Sequence, residues 1–235
     1  MAPRINEIDP SRPEYFSQFG QDYWLMNAAF PSLWNGYFVE VGAFQFPNGY
    51  MSNTLALETR RDWRGLLIEP NPALCGPLAA RKSTLVRTVV SDCKRKARFQ
   101  FGDRGCNSMI VETGGTDVST ETLTAILKRE NAPRVIPFLG IDVEGHEMEV
   151  LRGIDFGRYR FGCIIVEANG RDNAMVRFLG EHGYRYLDRL GVDLYFVGRG
   201  FVPPKPSEIV PDWGAFSNRA SFPGASAPRS ENPPA

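Results

Sequence analysis

The chain has 235 residues, 43% of them hydrophobic, and its 27 basic residues balance 27 acidic ones. This length and apolar fraction suffice for one α/β domain whose core needs neither disulfides nor a structural metal. The zero net charge argues against a nucleic-acid-binding protein. The basic stretch Cys93–Arg98 could still attract an anionic substrate, or could be a solvated turn between two strands.

The cysteines and the apolar segments indicate the compartment. The four cysteines have no CxxC spacing and the chain has only two histidines, so the sequence indicates neither a zinc site nor a disulfide framework. The first residues, MAPRINEIDPSRPEYF, lack the apolar region of a secretion signal. No later segment approaches the roughly 18 apolar residues of a membrane span. We therefore expect a soluble cytoplasmic protein with reduced thiols.

Apolar runs alternate with amphipathic stretches of helical length, a pattern typical of a parallel sheet covered by helices on both faces. Several runs are apolar throughout, as expected of strands that are buried on both faces. The predicted strands lie near Phe38–Val41, Gly65–Glu69, Leu85–Val90, Pro137–Asp142, Cys163–Glu167, Arg185–Asp188 and Leu194–Val197.

Helix signals fill the gaps between these strands. Asn71 before Pro72 predicts a capped helix start. The apolar spacing of Ser119–Asn131 predicts a second helix behind a Ser/Thr cap, and a third should begin near residues 144–148. His182, before Gly183, is interpreted as a helix end or a surface residue.

The last two predicted strands are joined by a short turn with a glycine, which is too short for a helical crossover, so they should be antiparallel. The sequence thus predicts a Rossmann-like class I methyltransferase fold: a seven-stranded, mostly parallel sheet with an antiparallel C-terminal strand. We expect one domain over residues 1–202, with an N-terminal cap segment (1–35) and a core (36–200). A Pro/Ser-rich tail, partly disordered, should follow over 203–235.

In such a sheet, ligands bind at the carboxyl ends of the strands. The first strand ends in Glu40 and Gly42 but lacks the further glycines of a pyrophosphate-binding GxGxxG turn. Glu69 follows Gly42 by 27 residues, at the end of the second strand, where an acid can accept hydrogen bonds from ribose hydroxyls. A nucleoside without a pyrophosphate, such as S-adenosylmethionine, fits this pair. The alternatives are that Glu69 only favours the start of the next helix and that Asn53 only caps one.

The fourth and fifth predicted strands end in further polar residues. Asp142, Glu144 and His146 follow the fourth strand, and Glu167 and Asn169 end the fifth. Asp142, Glu167 and Asn169 could hold Mg²⁺ or Ca²⁺, which would make a substrate hydroxyl easier to deprotonate. His146 has the pKa of a general base but could equally be an exposed first-turn residue, and Asp142 and Glu144 could merely cap the helix.

Taken in order, five motifs resemble the FkbM-type family of S-adenosylmethionine-dependent methyltransferases. They are SQFGQD (17–22), FVEVGA followed by SNT (38–43, 52–54), WRGLLIEPNP (63–72), VVSD (89–92) and IDVEGHEMEVLRG (141–153). The resemblance implies methyl transfer to a hydroxyl of a sugar or a polyketide-like small molecule. It makes Ser91 and Asp92 the adenine-side loop and Asp142 the acid beside the transferred methyl. The stretch FQFPNG (44–49) departs from the family pattern, in which an acidic or Asn residue and Gly usually follow VGA.

From the residues and the resemblance together we expect an O-methyltransferase that acts on a small molecule, most plausibly a sugar. The expected catalytic residues are Asp142, His146 and Glu144. The expected cofactor contacts are Glu40, Gly42, Ala43, Ser52, Asn53, Glu69, Pro70, Ser91, Asp92 and Asp142.

Other functions stay open at this point. The same sheet and turn could serve a nucleotide-binding protein without catalysis, or a methyltransferase acting on nitrogen or on a macromolecule. A nicotinamide-dependent dehydrogenase is disfavoured because the GxGxxG turn is absent. We expect neither a nucleic-acid nor a membrane partner, and the sequence does not indicate the oligomeric state.

Overall fold

The computed structural model describes residues 15–102, 108–168, 170 and 172–210. The strands in these residues are β1 (Tyr37–Val41), β2 (Arg64–Ile68), β3 (Thr84–Val86), β4 (Val89–Val90), β5 (Lys96–Gln100), β6 (Met109–Val111), β7 (Thr116–Glu121), β8 (Val135–Ile141), β9 (Arg160–Glu167), β10 (Tyr184–Leu190) and β11 (Asp193–Gly198). The helices are α1 (Gln21–Trp24), α2 (Leu55–Arg61), α3 (Cys75–Ala79), α4 (Leu123–Arg129), α5 (Glu147–Arg152), α6 (Asp172–Glu181) and α7 (Pro206–Ile209). A π-helical turn, Leu25–Ala29, continues α1.

Seven strands form the main sheet, in the order β3-β2-β1-β8-β9-β11-β10. The pairs among β3, β2, β1, β8 and β9 are parallel. Strand β11 runs antiparallel to both β9 and β10. The predicted α/β class with a large, mostly parallel sheet is confirmed. Because the chain leaves β1 towards β2 and later returns to its other side at β8, the strand order reverses between β1 and β8, where ligands bind in open α/β sheets.

Apolar side chains cover both faces of this sheet. Strand β1 shows the alternation: Val39 and Val41 pack with residues of α4, α5 and α6, whereas Phe38 packs with residues of α1, α2 and α3. Each fully buried side chain of this kind contributes about 1.5–3 kcal/mol. The two apolar layers therefore fix the register of β1, and with it the position of the residues that follow the strand.

The predicted strand Leu85–Val90 is wrong in its extent. Its first part belongs to β3 of the main sheet, and its second part is β4, which pairs in parallel with β7. Strand β4 is an edge of a second sheet of four strands, in the order β4-β7-β5-β6. The pairing of β3 with β2 ends at Val86, and the chain then crosses to this smaller sheet.

Two predicted helix starts also need correction. The predicted helix 119–131 begins at Leu123, because the residues before it pair as β7. The hydroxyl of Thr122 caps it, accepting from the Ala125 N–H at 3.1 Å. The carboxamide oxygen of Asn71 accepts from the Ala73 N–H at 3.0 Å, which closes a turn, and α3 begins only at Cys75. The third predicted helix start is confirmed, since α5 begins at Glu147.

Part of the expected tail packs on the domain. The indole Nε1 of Trp24 donates to the Pro204 carbonyl at 2.9 Å, and the Ser207 N–H donates to Asp188 Oδ2 at 3.0 Å. Helix α7 therefore lies against the main sheet beside β10. Residues 211–235 of the expected tail are outside the described residues. Within the part of the chain that the structure describes, no helix is long and apolar enough to cross a membrane.

Candidate active site

A cavity of about 250 Å³ opens at the carboxyl ends of β1, β2, β8 and β9. Its described lining contains six carboxylate side chains and one histidine, but no lysine or arginine. Residues of the second sheet and of the segment before α1 complete its walls. The cavity therefore combines strand-end acids with walls from two other parts of the chain.

Gly42 stands where β1 leaves the sheet. Its φ is +81°, and a Cβ at this position would lie 1.6 Å from the Asp142 carbonyl oxygen. The Gly42 and Ala43 N–H groups both donate to the Ile68 carbonyl, at 2.9 and 3.1 Å. A glycine is thus required because the backbones after β1 and β8 touch, and it leaves the cavity floor open at the same time.

Glu40 is buried beneath the cavity and is held by the segment before α2. Thr54 Oγ1 donates to Glu40 Oε2 at 2.5 Å, and the Asn53 N–H approaches Glu40 Oε1 at 3.4 Å. Burial raises the pKa of Glu40, while the nearby Arg81 guanidinium and the Thr54 hydrogen bond oppose the increase. The carboxylate is therefore fixed in direction on the cavity wall.

Glu69 is the acid at the end of β2. It is buried, lines the cavity and accepts from the Asn71 N–H through Oε1 at 2.7 Å. Burial raises its pKa to about 7, and the Asn71 hydrogen bond only partly opposes this. The carboxylate does hold the turn that leads to α3, but it also faces the cavity, so the two interpretations of this residue are compatible.

Three further acids, here called the acidic cluster, lie at the opposite wall: Asp142, Glu167 and Asp193. Asp142 is accessible from the cavity yet enclosed by protein, and this enclosure together with Glu167, Asp193 and Glu144 raises its pKa well above the usual range. A hydrogen bond joins Asp142 to Glu167. Burial raises the pKa of Asp193 to about 7, opposed by Gln21 Nε2, which donates to Asp193 Oδ2 at 2.6 Å. Carboxylates packed so closely disfavour one another's ionisation, so the cluster holds a proton more readily than isolated carboxylates do.

The predicted magnesium site is not supported. No group of three or more His, Cys, Asp or Glu side chains among the described residues is arranged to hold a metal ion. Asn169, the third predicted ligand, lies outside the described residues. Asp142 and Glu167, which were expected to bind a cation, instead interact with each other, and Gln21 binds the neighbouring Asp193.

His146 is engaged at its ring nitrogens. Nε2 lies 3.0 Å from Ser91 Oγ, and Nδ1 lies 3.6 Å from Glu149 Oε2. Ser91 in turn donates to Asp92 Oδ1 at 3.0 Å, which assigns the Ser91–His146 proton to Nε2. Burial lowers the pKa of His146. The ring lines the cavity, but Nε2 faces Ser91 and Nδ1 faces Glu149, so neither nitrogen is free to accept a substrate proton, which favours Asp142 as the base.

The other predicted site residues divide into two groups. Pro70, Asn53 and Glu144 line the cavity, whereas Ala43, Ser52, Ser91 and Asp92 do not. Ser52 accepts from the Leu55 N–H at 3.1 Å and so caps α2, the role considered for Asn53.

Glu144 follows β8 in a left-handed backbone conformation with φ +56°. Such a conformation costs a non-glycine residue about 1–2 kcal/mol. Glu147 Oε1 holds the turn by accepting from the Val143 and Gly145 N–H groups at 3.3 and 2.8 Å.

Sequence reasoning missed the contribution of the SQFGQD segment. Gln18, Phe19 and Gln21 line the cavity beside the acidic cluster. The buried carboxylate of Asp22 shapes the turn by accepting from the Phe16 N–H at 2.6 Å and from the Ser17 hydroxyl. The motif SQFGQD was the available signal, because it places two glutamines close to an aspartate, a residue type that often accepts backbone hydrogen bonds in turns.

The second sheet supplies the other missed wall. Phe99 of β5 and Met109 and Ile110 of β6 line the cavity on the side of Glu69, together with Thr88 and Val89. The residues of this segment that line the cavity near Glu69 are thus Val89 and Val90, and not Ser91 and Asp92 as predicted. The strands are short and largely exposed, so their alternation gave only a weak signal.

Comparison with known families gives one match that covers most of the site. A model described as the methyltransferase FkbM domain matches residues 40–186. The matched range is more than half of the chain and contains Glu40, Gly42, Glu69, Asp142 and Glu167, but neither Gln21 nor Asp193. None of the curated proteins searched matches the chain.

Proposed function

The chain belongs to the FkbM methyltransferase family, and from this membership we propose that it is an S-adenosylmethionine-dependent O-methyltransferase that acts on a hydroxyl of a sugar or glycan unit. One observation carries the proposal. Glu69, Gly42 and Asp142, which come from three strand ends, line the same cavity at the position where strand order reverses.

The cofactor side of the cavity fits a nucleoside that carries an amino acid. Glu69 faces the cavity with one oxygen tied to the Asn71 N–H, which leaves its other oxygen for ribose hydroxyls. Apolar side chains including Ile68, Leu74 and Val90 line the same region and suit the flat face of adenine. The volume of about 250 Å³ approaches the lower limit of roughly 300 Å³ for small-molecule sites.

The acceptor side favours a neutral, hydroxyl-rich molecule. The acidic cluster and the amides of Gln18 and Gln21 offer hydrogen-bond partners for hydroxyl groups. Since the described lining of the cavity has six acids and no lysine or arginine, a phosphate or carboxylate group on the acceptor would find no cationic partner there. A sugar hydroxyl away from any phosphate matches this wall.

The proposed chemistry is methyl transfer with removal of a hydroxyl proton. S-adenosylmethionine, when bound, supplies an electrophilic methyl group for in-line displacement by oxygen. Asp142 would accept the hydroxyl proton, and its raised pKa makes it a stronger base than an ordinary aspartate. The walls would align donor and acceptor, an effect for which about 7–11 kcal/mol is available in well-oriented reactions.

The proposal is tested by methyl transfer in solution. Purified protein is incubated with S-adenosylmethionine and a panel of neutral methyl glycosides, each paired with its sugar phosphate, and release of S-adenosylhomocysteine is measured. We expect turnover with neutral members of the panel, loss of turnover in Asp142→Asn, and unchanged turnover in the control Glu181→Gln on α6. Cofactor binding without release of S-adenosylhomocysteine by either wild type or Asp142→Asn would instead support a binding protein without catalysis.

We also propose a cytoplasmic location. The described cysteines Cys75, Cys93 and Cys163 are free thiols, as is usual in a reducing compartment. Fractionation of cells that produce the full chain tests this, and recovery from an oxidising compartment would contradict it.

A further inference from the structure

A single arginine joins the two ends of the aromatic loop, defined here as Phe44–Met51. Arg81 Nη1 donates to Gln45 Oε1 at 3.0 Å and to Ser52 Oγ at 3.2 Å. Gln45 lies at the start of the loop and Ser52 directly follows it. Phe44 and Met51, at the ends of the loop, line the cavity. The position of this wall therefore depends on Arg81.

The same side chain reaches Glu40 through one hydroxyl. Arg81 Nη2 donates to Thr54 Oγ1 at 3.1 Å, and Thr54 Oγ1 donates to Glu40 Oε2 at 2.5 Å. Thr54 is fully buried, so water does not compete for these two bonds. The Thr54 hydroxyl thus has its acceptor role filled by arginine and its donor role filled by the cavity acid.

The guanidinium also forms a buried ion pair with Glu58 of α2. Arg81 Nε lies 3.2 Å from Glu58 Oε2, and the two side chains are only 3% and 4% exposed. Glu58 is itself held by the Ser83 hydroxyl at 2.6 Å and the Lys82 N–H at 2.8 Å. A planar guanidinium can serve several acceptors in fixed directions, which a lysine cannot do. A buried pair of this kind is a weak source of stability but can specify geometry.

We propose that Arg81 is a positioning residue for cofactor binding: it fixes the aromatic loop against the cavity and, through Thr54, orients Glu40. Arg81 does not itself line the cavity, so it acts through the loop and through Thr54. The inference rests on the proposed function, because Glu40 matters here as a wall of the cofactor site.

The experiment measures the affinity for S-adenosylhomocysteine by calorimetry, together with the melting temperature of each variant. Thr54→Val keeps the shape of the side chain and removes the hydroxyl that links Arg81 to Glu40. We expect it to weaken binding by about tenfold, the loss of one hydrogen bond to a charged group. In a Glu40→Gln background, the same substitution should have at most a small effect, because its target carboxylate is gone.

Two controls separate positioning from stability. Thr59→Val removes an exposed hydroxyl on α2 that bonds only to the local Leu55 carbonyl, and it should leave affinity unchanged. Leu179→Ala empties a fully buried position on α6, in the apolar layer on the other face of the sheet from α2 and α3. It should lower the melting temperature through the cavity it creates and change the affinity by less than a factor of two.

The outcomes are distinct. Wild-type binding with equal affinities in Thr54→Val and Thr59→Val would overturn the inference and leave the proposed function standing. An effect of Thr54→Val that persists in the Glu40→Gln background would also overturn it, since the residue would then act on the fold alone. No binding of S-adenosylhomocysteine to wild type at millimolar concentration would remove the proposed function, and the inference with it.

Discussion

The two ends of the cavity use acids in different ways. On the side proposed for the cofactor, here called the cofactor side, Glu40 and Glu69 stand apart and each has its own donor, the Thr54 hydroxyl or the Asn71 N–H. On the side proposed for the acceptor, here called the acceptor side, Asp142 and Glu167 hydrogen-bond to each other, and Asp193 stands beside them with an amide donor from Gln21. Isolated, fixed carboxylates suit the binding of hydroxyls, whereas carboxylates that share protons suit proton transfer.

This difference follows from where each acid is anchored. The donors on the cofactor side come from residues that are close in sequence or lie in a neighbouring turn. The acceptor side gathers two strand ends, the start of β11 and the segment before α1. We therefore expect substitutions on the two sides to separate cofactor binding from chemistry.

The largest effect is expected for Asp142→Asn. Loss of the proposed base should reduce kcat/KM for methyl transfer by about 10²–10⁴-fold, the usual contribution of general base catalysis. The affinity for S-adenosylhomocysteine should change much less, because the amide keeps the size of the side chain. A comparable loss in both quantities would mean that the two sides are not separable.

Glu69→Gln tests the cofactor side through stability. Burial raises the pKa of Glu69 to about 7 in the folded protein, against about 4.5 in an unfolded chain. Between these two pH values the folded state binds more protons than the unfolded chain, so the free energy of unfolding falls as pH rises. The decrease that Glu69 causes is nearly complete at pH 8. The ligand-free variant should lose less stability than wild type between pH 4.5 and 8, by at most about 3 kcal/mol. Urea unfolding of both proteins at the two pH values measures this, and parallel losses would contradict it.

Glu167→Gln tests whether Asp142 is the titrating base on the acceptor side. Glu167 raises the pKa of Asp142, so its neutralisation should lower that pKa and extend the acid side of the rate profile to lower pH. The pH dependence of kcat/KM for wild type and variant tests the prediction. An unmoved or upward-shifted acid limb would show that Asp142 is not the titrating base.

The smallest effect is expected for Gln21→Met, which removes the amide that holds Asp193. Loss of one such hydrogen bond, worth about 0.5–1.5 kcal/mol, should raise the acceptor KM by roughly two- to tenfold. The cofactor affinity should stay as in wild type. Weaker cofactor binding in this variant would contradict the division of the cavity into two sides.

The sequence predicted the strand-end residues because they follow buried strands directly. Gly42, Glu69 and Asp142 could be placed from the apolar runs before them, and all three line the cavity. The division of residues 85–90 between two sheets could not be predicted from the sequence. Both parts of this segment are largely apolar, and they differ only in the strand with which they pair. The small sheet was missed because its strands are short and largely exposed.

Long-range partners account for the rest. Gln21 and Asp193 are 172 positions apart and meet only because the start of α1 packs beside β11. Arg81 follows α3 and was not singled out in the sequence, and in the fold it is buried against Glu58 of α2. Neither residue spacing nor hydrophobic periodicity along the chain predicts such long-range pairs. The motif SQFGQD, in contrast, contains Asp22, which forms the turn that positions Gln21.

The most direct test of the account is a calorimetric titration of S-adenosylhomocysteine into wild type and Glu69→Gln at pH 8. The account predicts saturable binding to wild type and roughly 10- to 100-fold weaker binding to the variant, as expected from the loss of hydrogen bonds to a carboxylate. Equal affinities, or no binding to wild type up to millimolar ligand, would contradict the assignment of this cavity as the cofactor site.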